Sequence, residues 1–287
     1  MARPLRIEFP GALYEISAKP QPGEALFADT ADGTLFLKTL HDVCQRFQWH
    51  CLGFVLMPKG YHLLIETKDA NLSRGMRQLN GLYTQKINRK YAKTGPRFQG
   101  RFKALVVERE AYLQDLICYF AWLPVRHRLA QRPDDWLWGS FRWLSVKGKD
   151  CPGGLACDEG LWPFGKKKSK ARKALRDAVR EVDHQHLEAS LANARHHQLF
   201  LATPEYVTAM LKNYTQTGEP RKIEDIAAPT PAHPLVWYQQ QHKNRREAMA
   251  AAYLSGDYTL YEIADAFGVH YSTVSRAVSR YEKAVNA

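Results

Sequence analysis

Cysteine is scarce in this sequence. There are five, Cys44, Cys51, Cys118, Cys151 and Cys157, an odd number at scattered spacing. A disulfide framework is not expected from such a pattern; free thiols in a reducing compartment are. Cys151 and Cys157, with His184, His186, His196 and His197 downstream, fit no zinc-ligand spacing. Long apolar runs are missing too, since none comes near the roughly 18 residues that cross a bilayer. Met1-Ala2-Arg3-Pro4-Leu5-Arg6 lacks the apolar core of a signal peptide. The expectation is a soluble cytoplasmic protein with no membrane partner. Acids are few: 29 Asp and Glu face 41 Lys and Arg, a formal net charge of +12. That imbalance favours a polyanionic partner, because each cation placed on a phosphate releases condensed counterions. Composition by itself leaves DNA, RNA and an acidic membrane surface open.

What is present is enough apolar residue, 45% of 287 positions, for a buried core and more than one domain. Leu13 to Ala18 reads as a strand, and a Pro/Gly-rich turn follows from Lys19 to Glu24. Residues 29–48 carry a helical apolar stripe of Leu35, Phe36, Leu40, Val43 and Phe47. Strands are expected near 50–57 and 61–67, separated by the turn signal Pro58-Lys59-Gly60. The second strand places Gly60, His62, Leu64 and Glu66 on one face, and Tyr61, Leu63 and Ile65 on the other. Asn71 is the expected N-cap of a helix running to Tyr91. A strand over 101–108 and a helix over 110–122, ending before Pro124, complete the series. The order strand, helix, strand, strand, helix, strand, helix predicts an α+β, ferredoxin-like split βαβ domain with an antiparallel sheet. We place it at 1–147, with a basic helical region at 148–215. Helical pattern in that region continues through 187–213. A Pro/Gly linker is expected at 216–236 and a helix-turn-helix domain at 237–287.

Charge is concentrated within the first domain. From Arg74 to Arg109 there are ten Lys or Arg residues against the single acid Glu108. Tyr83, Tyr91, Phe98 and Phe102 are interleaved with them. Paired phosphates and stacked bases would use such a surface, as in single-strand binding; the other reading is a solvated basic helix with core aromatics. Gly95-Pro96-Arg97-Phe98-Gln99-Gly100-Arg101 supports the first, because a glycine-flanked basic loop lets a nucleic-acid backbone approach. Arg74, Arg77, Lys86, Arg97, Arg101 and Lys103 are the candidate contacts. Over 166–180, eight Lys or Arg accompany one Asp on a helical pattern.

The last fifty residues carry a more specific motif. Thr259 to Arg276 has the layout of a helix-turn-helix: Leu260, Ile263 and Ala264 face inward, Gly268 ends the first helix, and Val269 plugs the turn. Ser272 or Thr273 is expected to cap the second helix, with Val274, Ala277 and Val278 inward. Tyr271, Ser272, Thr273, Ser275, Arg276 and Arg280 are then available to a major groove.

Several segments resemble REP-associated tyrosine transposases, a branch of the HUH single-strand endonucleases. They are Met1 to Ile7 with Gly11 to Tyr14, Asn71-Leu72-Ser73-Arg74-Gly75-Met76-Arg77-Gln78-Leu79-Asn80-Gly81, Phe98-Gln99-Gly100-Arg101, Pro124-Val125-Arg126 and Trp138-Gly139-Ser140-Phe141. The resemblance implies a metal held by two strand histidines and a helix residue, with a tyrosine that attacks the scissile phosphate. Carried over, the histidine pair falls on Gly60 and His62, the nucleophile on Tyr119, and the third ligand on Leu123. Glu15 stands where relatives follow their first tyrosine with histidine. Two of three ligands are thus replaced by residues without a side-chain donor, leaving His62 and Tyr119 as remnants and no metal site.

The expected function is that of a domesticated, sequence-specific DNA-binding protein, a transcriptional regulator on the nucleoid, with no cofactor. Duplex DNA would meet the helix-turn-helix, and hairpin or single-stranded DNA the first domain. The alternative is an active single-strand endonuclease acting through Tyr119, with Mg or Mn held by His62 and some of Glu15, His50 and Glu66.

Overall fold

The computed structural model describes residues 7–147, 151–152, 154–216, 234–242, 244–254, 258 and 260–285. Of the expected linker, 217–233 lie outside the described residues. Two compact units make up the chain, Arg6–Asn213 and a second formed chiefly from Tyr214–Ala287.

The first unit follows the predicted series: β1 (Leu13–Ala18), α1 (Thr30–Phe47), β2 (Trp49–Met57), β3 (Gly60–Thr67), α2 (Leu72–Lys90), β4 (Lys103–Val107) and α3 (Arg109–Arg126). β2, β3, β1 and β4 lie side by side and antiparallel, which is the split βαβ order. Alternation decides the faces. Tyr61 turns to α1 and α2, where Phe36, Tyr61 and Tyr83 pack with ring centroids 4.9 and 5.1 Å apart. His62 turns the other way, to α3, its ring 5.6 Å from that of Phe120. α1 begins in a capping box, Asp29 accepting from the Asp32 amide and Asp32 from that of Asp29.

Several residues of the resemblance segments turn out to hold this frame together. Asn71 accepts from Trp49 Nε1 at 2.7 Å and donates to the Phe47 carbonyl at 3.1 Å, instead of capping α2 with its side chain. A β-carbon at Gly75 would lie 2.1 Å from the Trp49 ring, so only glycine admits that indole. Trp136 to Ser140 cover the outer edge of β2. The Ser140 amide donates to the Phe54 carbonyl, the Phe54 amide to Ser140 Oγ, and Trp136 Nε1 to the Leu56 carbonyl, at 2.8, 3.0 and 3.1 Å. An exposed edge is thereby closed to strand addition.

Departures from the sequence expectations have local causes. α3 runs through Pro124 to Arg126. The proline costs one internal hydrogen bond, but the carbonyls of Leu123 and Pro124 accept from His127 and Leu129, and Leu123 and Pro124 are buried. After α4 (Phe141–Leu144), α5 (Cys157–Leu161), α6 (Lys168–Glu181) and α7 (His184–Asn193), the helical pattern is interrupted. β5 (Arg195–His196) and β6 (Phe200–Leu201) extend the sheet beyond β4 before α8 (Pro204–Gln216) begins. β6 pairs parallel to β4, drawn in by the buried Phe200 and Leu201. Cys151 and Cys157 are not free thiols but form a disulfide. The intervening loop folds onto β2, with the Ala156 amide on the Cys51 carbonyl at 2.7 Å, and this brings the two cysteines together. Cys44, Cys51 and Cys118 are free and buried.

The second unit contains α9 (Leu235–Gln241), α10 (Arg245–Leu254), α11 (Leu260–Ala266) and α12 (Tyr271–Val285). Its core is Ala248, Met249, Ala252, Ile263, Phe267, Val274, Ala277 and Val278 around Tyr238. Gly268, at φ +58°, ends α11. Its amide donates to the Asp265 carbonyl at 3.0 Å and that of Val269 to the Ala264 carbonyl at 2.8 Å, the paired bonds of a Schellman motif. Among the described residues, no helix is long and apolar enough to cross a membrane.

Candidate nucleic-acid interface

The sheet face under α3 gathers the residues expected to be catalytic. Across β4, β1 and β3 one row reads Lys103, Ser17, His62, and the next reads Leu105, Glu15, Leu64. His62 Nδ1 lies 2.8 Å from Glu15 Oε1. Glu15 is 5% exposed. Burial pushes its carboxyl up, but the hydrogen bond and charge of His62, with Arg195 and Lys103, bring it below the ordinary carboxylate value. His62 is thus engaged by Glu15, which stands where the resemblance implies a histidine.

Tyr119 lies on α3 above this face, buried beneath the Arg126 guanidinium 6.0 Å from its ring. Burial raises its phenol, Glu188 raises it further, and Arg126 and Arg195 oppose without cancelling. A phenol held protonated is a poor nucleophile at neutral pH. Arg126 is itself paired with Glu188. Arg195 escaped the sequence reading because it sits on a two-residue strand that no periodicity marks.

The residues do not suit the divalent ion that the resemblance implies. Leu123 is buried and apolar. Gly60 adopts φ +145°, and a β-carbon there would lie 2.5 Å from the Ala18 carbonyl oxygen. The backbone has closed around the position where a ligand would stand. Nor do the alternative ligands converge on His62 beyond Glu15: His50 and Glu66 lie 3.8 Å from each other, while Glu66 is paired with Arg109. Among the described residues no three His, Cys, Asp or Glu side chains are grouped as a metal would require.

The expected DNA contacts divide into two kinds. Arg74, Arg77, Arg101 and Lys103 are exposed. Arg97 departs from expectation, being 7% exposed and bound to Glu24 at 2.8 Å; it pins the loop. Lys86 is half-buried and donates to Thr39 Oγ1 at 3.0 Å. The interleaved aromatics are not a stacking surface, since Tyr83, Phe98 and Phe102 are core residues and Tyr91 donates to Asp32 at 3.0 Å. Their spacing suited either reading, and packing decided it.

On α12, Tyr271, Arg276 and Arg280 are exposed, with Ser272 and Thr273 half-buried; the Ser275 side chain lies outside the described residues. The helix starts at Tyr271, one or two residues before the expected cap. His270 Nδ1 lies 3.4 Å from the Ser272 amide and 2.9 Å from Ser272 Oγ, so it takes the capping role. Arg276 Nε donates to the Ser272 carbonyl at 3.2 Å.

Two segments of the chain match known families. Residues 24–119 match the family described as "Transposase IS200 like", and residues 242–285 match "Homeodomain-like domain". The chain thus joins a segment similar to IS200-like transposases, within the first unit, to a homeodomain-like segment within the second. A solved structure, "Structure of the REP associates tyrosine transposase bound to a REP hairpin", is similar at 16% identity and a TM-score of 0.46, over 58% of this chain and 98% of that one. No curated protein matches.

Proposed function

We propose that this chain is a sequence-specific DNA-binding protein, a transcriptional regulator, derived from a tyrosine transposase and no longer cutting DNA. The observation that carries the reading is the contrast between its two sites. At the first, Gly60 is closed against a side chain and Leu123 offers no donor. At the second, Ile263, Ala264, Val274, Ala277 and Val278 are buried and Arg276 and Arg280 exposed. In this reading α12 enters the major groove of a duplex half-site and reads base edges. Arg74, Arg77, Arg101 and Lys103 add phosphate contacts to hairpin or single-stranded DNA, which give affinity without sequence information. The protein then works in the cytoplasm, on the nucleoid.

Recovery of crosslinked DNA across a genome tests it, with a shared sequence motif as the expected result. Fragments without a common motif would remove the sequence-specific part. Incubation with hairpin DNA and magnesium or manganese tests the rest. A covalent adduct that disappears in Tyr119→Phe would establish cleavage and overturn the non-catalytic reading.

A further inference from the structure

Helix α6 lies within the densest short run of positive charge in the first unit, eight Lys or Arg against one Asp over 166–180. Ala171, Leu175 and Val179 are its buried positions, so the charge is forced onto the remaining faces. Ser169, Arg172 and Arg176 recur at i, i+3 and i+7 and form one row along the helix. With Ser145, Val146 and Lys147, just past the end of α4, that row lines a cleft of about 390 Å³.

Among the described residues, no acid lines this cleft. The nearby carboxylates are engaged, Asp158 with Lys168 at 2.7 Å and Asp177 with Arg180 at 3.8 Å. Arg176 Nη1 donates to the Ser145 carbonyl, which fixes one guanidinium at the wall. Arg172 Nε is buried and, among the described residues, has no hydrogen-bond partner. A buried donor without an acceptor is unfavourable. Two guanidiniums and an ammonium around one cavity also repel one another. An anion with several acceptor oxygens in the cleft offsets that repulsion, and guanidiniums suit phosphate by their paired, planar donors.

We propose that this cleft binds a phosphate of the DNA backbone, making α6 a second nucleic-acid contact independent of the helix-turn-helix. The rest of the helix indicates a polymer in place of a free ion. Lys166, Lys167, Lys170 and Lys173 are all exposed beyond the cleft. A single phosphate ion would leave them unused, whereas a chain of phosphodiesters occupies cleft and row together. The identity of the polymer rests on the DNA-binding reading above.

The test is the salt dependence of binding of a labelled DNA hairpin carrying a duplex stem to the full-length chain. Each lost phosphate contact lowers the slope of log K against log salt by about 0.7 to 0.9. The slope of R172Q/R176Q, which removes the one phosphate held in the cleft, is expected to fall by about 0.7 to 0.9. R172Q alone, which keeps the Arg176–Ser145 bond, is expected to lose about half of that. The charge-matched control K38Q/K68Q, at exposed lysines elsewhere, keeps the wild-type slope. Unchanged slopes in both arginine variants, with the wild type binding DNA, overturn the proposal and leave the DNA-binding reading intact. A wild-type chain that binds no DNA overturns both. Calorimetry with inorganic phosphate separates the source: heat abolished by R172Q/R176Q, together with an unaffected DNA slope, assigns the cleft to the free ion and rejects the polymer.

Discussion

A β-carbon on Gly60 would lie 2.5 Å from the carbonyl oxygen of Ala18. That distance is far inside van der Waals contact, and the φ of +145° at Gly60 disfavours any other residue. The position at which the resemblance implies a metal ligand is here closed by the neighbouring strand, and the closure is built into the backbone. Reversing it takes more than one substitution.

Gly60→His should therefore fail to restore metal binding and should destabilise the first unit by at least about 2 kcal/mol, the scale of one strained backbone position plus a clash. Gly60→Ala should show most of the same loss, because the β-carbon is the cause. Urea unfolding of both variants checks this, with manganese titration of G60H/L123N alongside. A stable G60H that binds manganese would show that the backbone opens readily.

The Glu15–His62 pair should make the first unit sensitive to acid. Glu15 is held below its ordinary value in the folded state. A depressed carboxyl contributes stability above its unfolded value and loses it as pH falls through the folded one. Glu15→Gln should flatten that acid-side loss, and His62→Ala should cost about 1–3 kcal/mol at neutral pH by stranding a buried carboxylate. Denaturant midpoints across the acidic range decide it. Parallel curves for wild type and Glu15→Gln would mean the pair contributes nothing.

Arg276→Ala should weaken binding to a preferred duplex by about 1–3 kcal/mol, with a much smaller effect on random DNA. Competition binding with the two DNAs measures the difference. Equal losses would reduce Arg276 to a phosphate contact.

Gly268 has open space where a β-carbon would go, so its substitution isolates the backbone effect. Gly268→Ala should cost about 1 kcal/mol from the left-handed conformation alone. Thermal unfolding of the second unit's signal within the whole chain should move accordingly. No shift would mean that the turn rearranges freely.

Much of this was legible because it is local. Alternation in Leu13 to Ala18 and around His62, the stripe of α1, and the Gly268-Val269 turn each depend on residues a few positions apart, so the split βαβ order and the helix-turn-helix could be read directly. Tyr119, His62, Gly60 and Leu123 were equally accessible through the family segments. What residues do to distant neighbours was not. Glu15 meets His62 across 47 positions, and Arg97 meets Glu24 across 73. Nothing near either residue signals the partner that engages its charge. β5 and β6 are too short to show a period, and they form because Phe200 and Leu201 find a place beside β4. Sequence therefore determined the split βαβ elements and the helix-turn-helix, and through the resemblance it placed Gly60 and Leu123 where ligands would be expected. Tertiary structure decided that Gly60 is closed, that the surviving histidine is occupied, and which cations face outward, because burial and pairing depend on distances that only the folded chain creates.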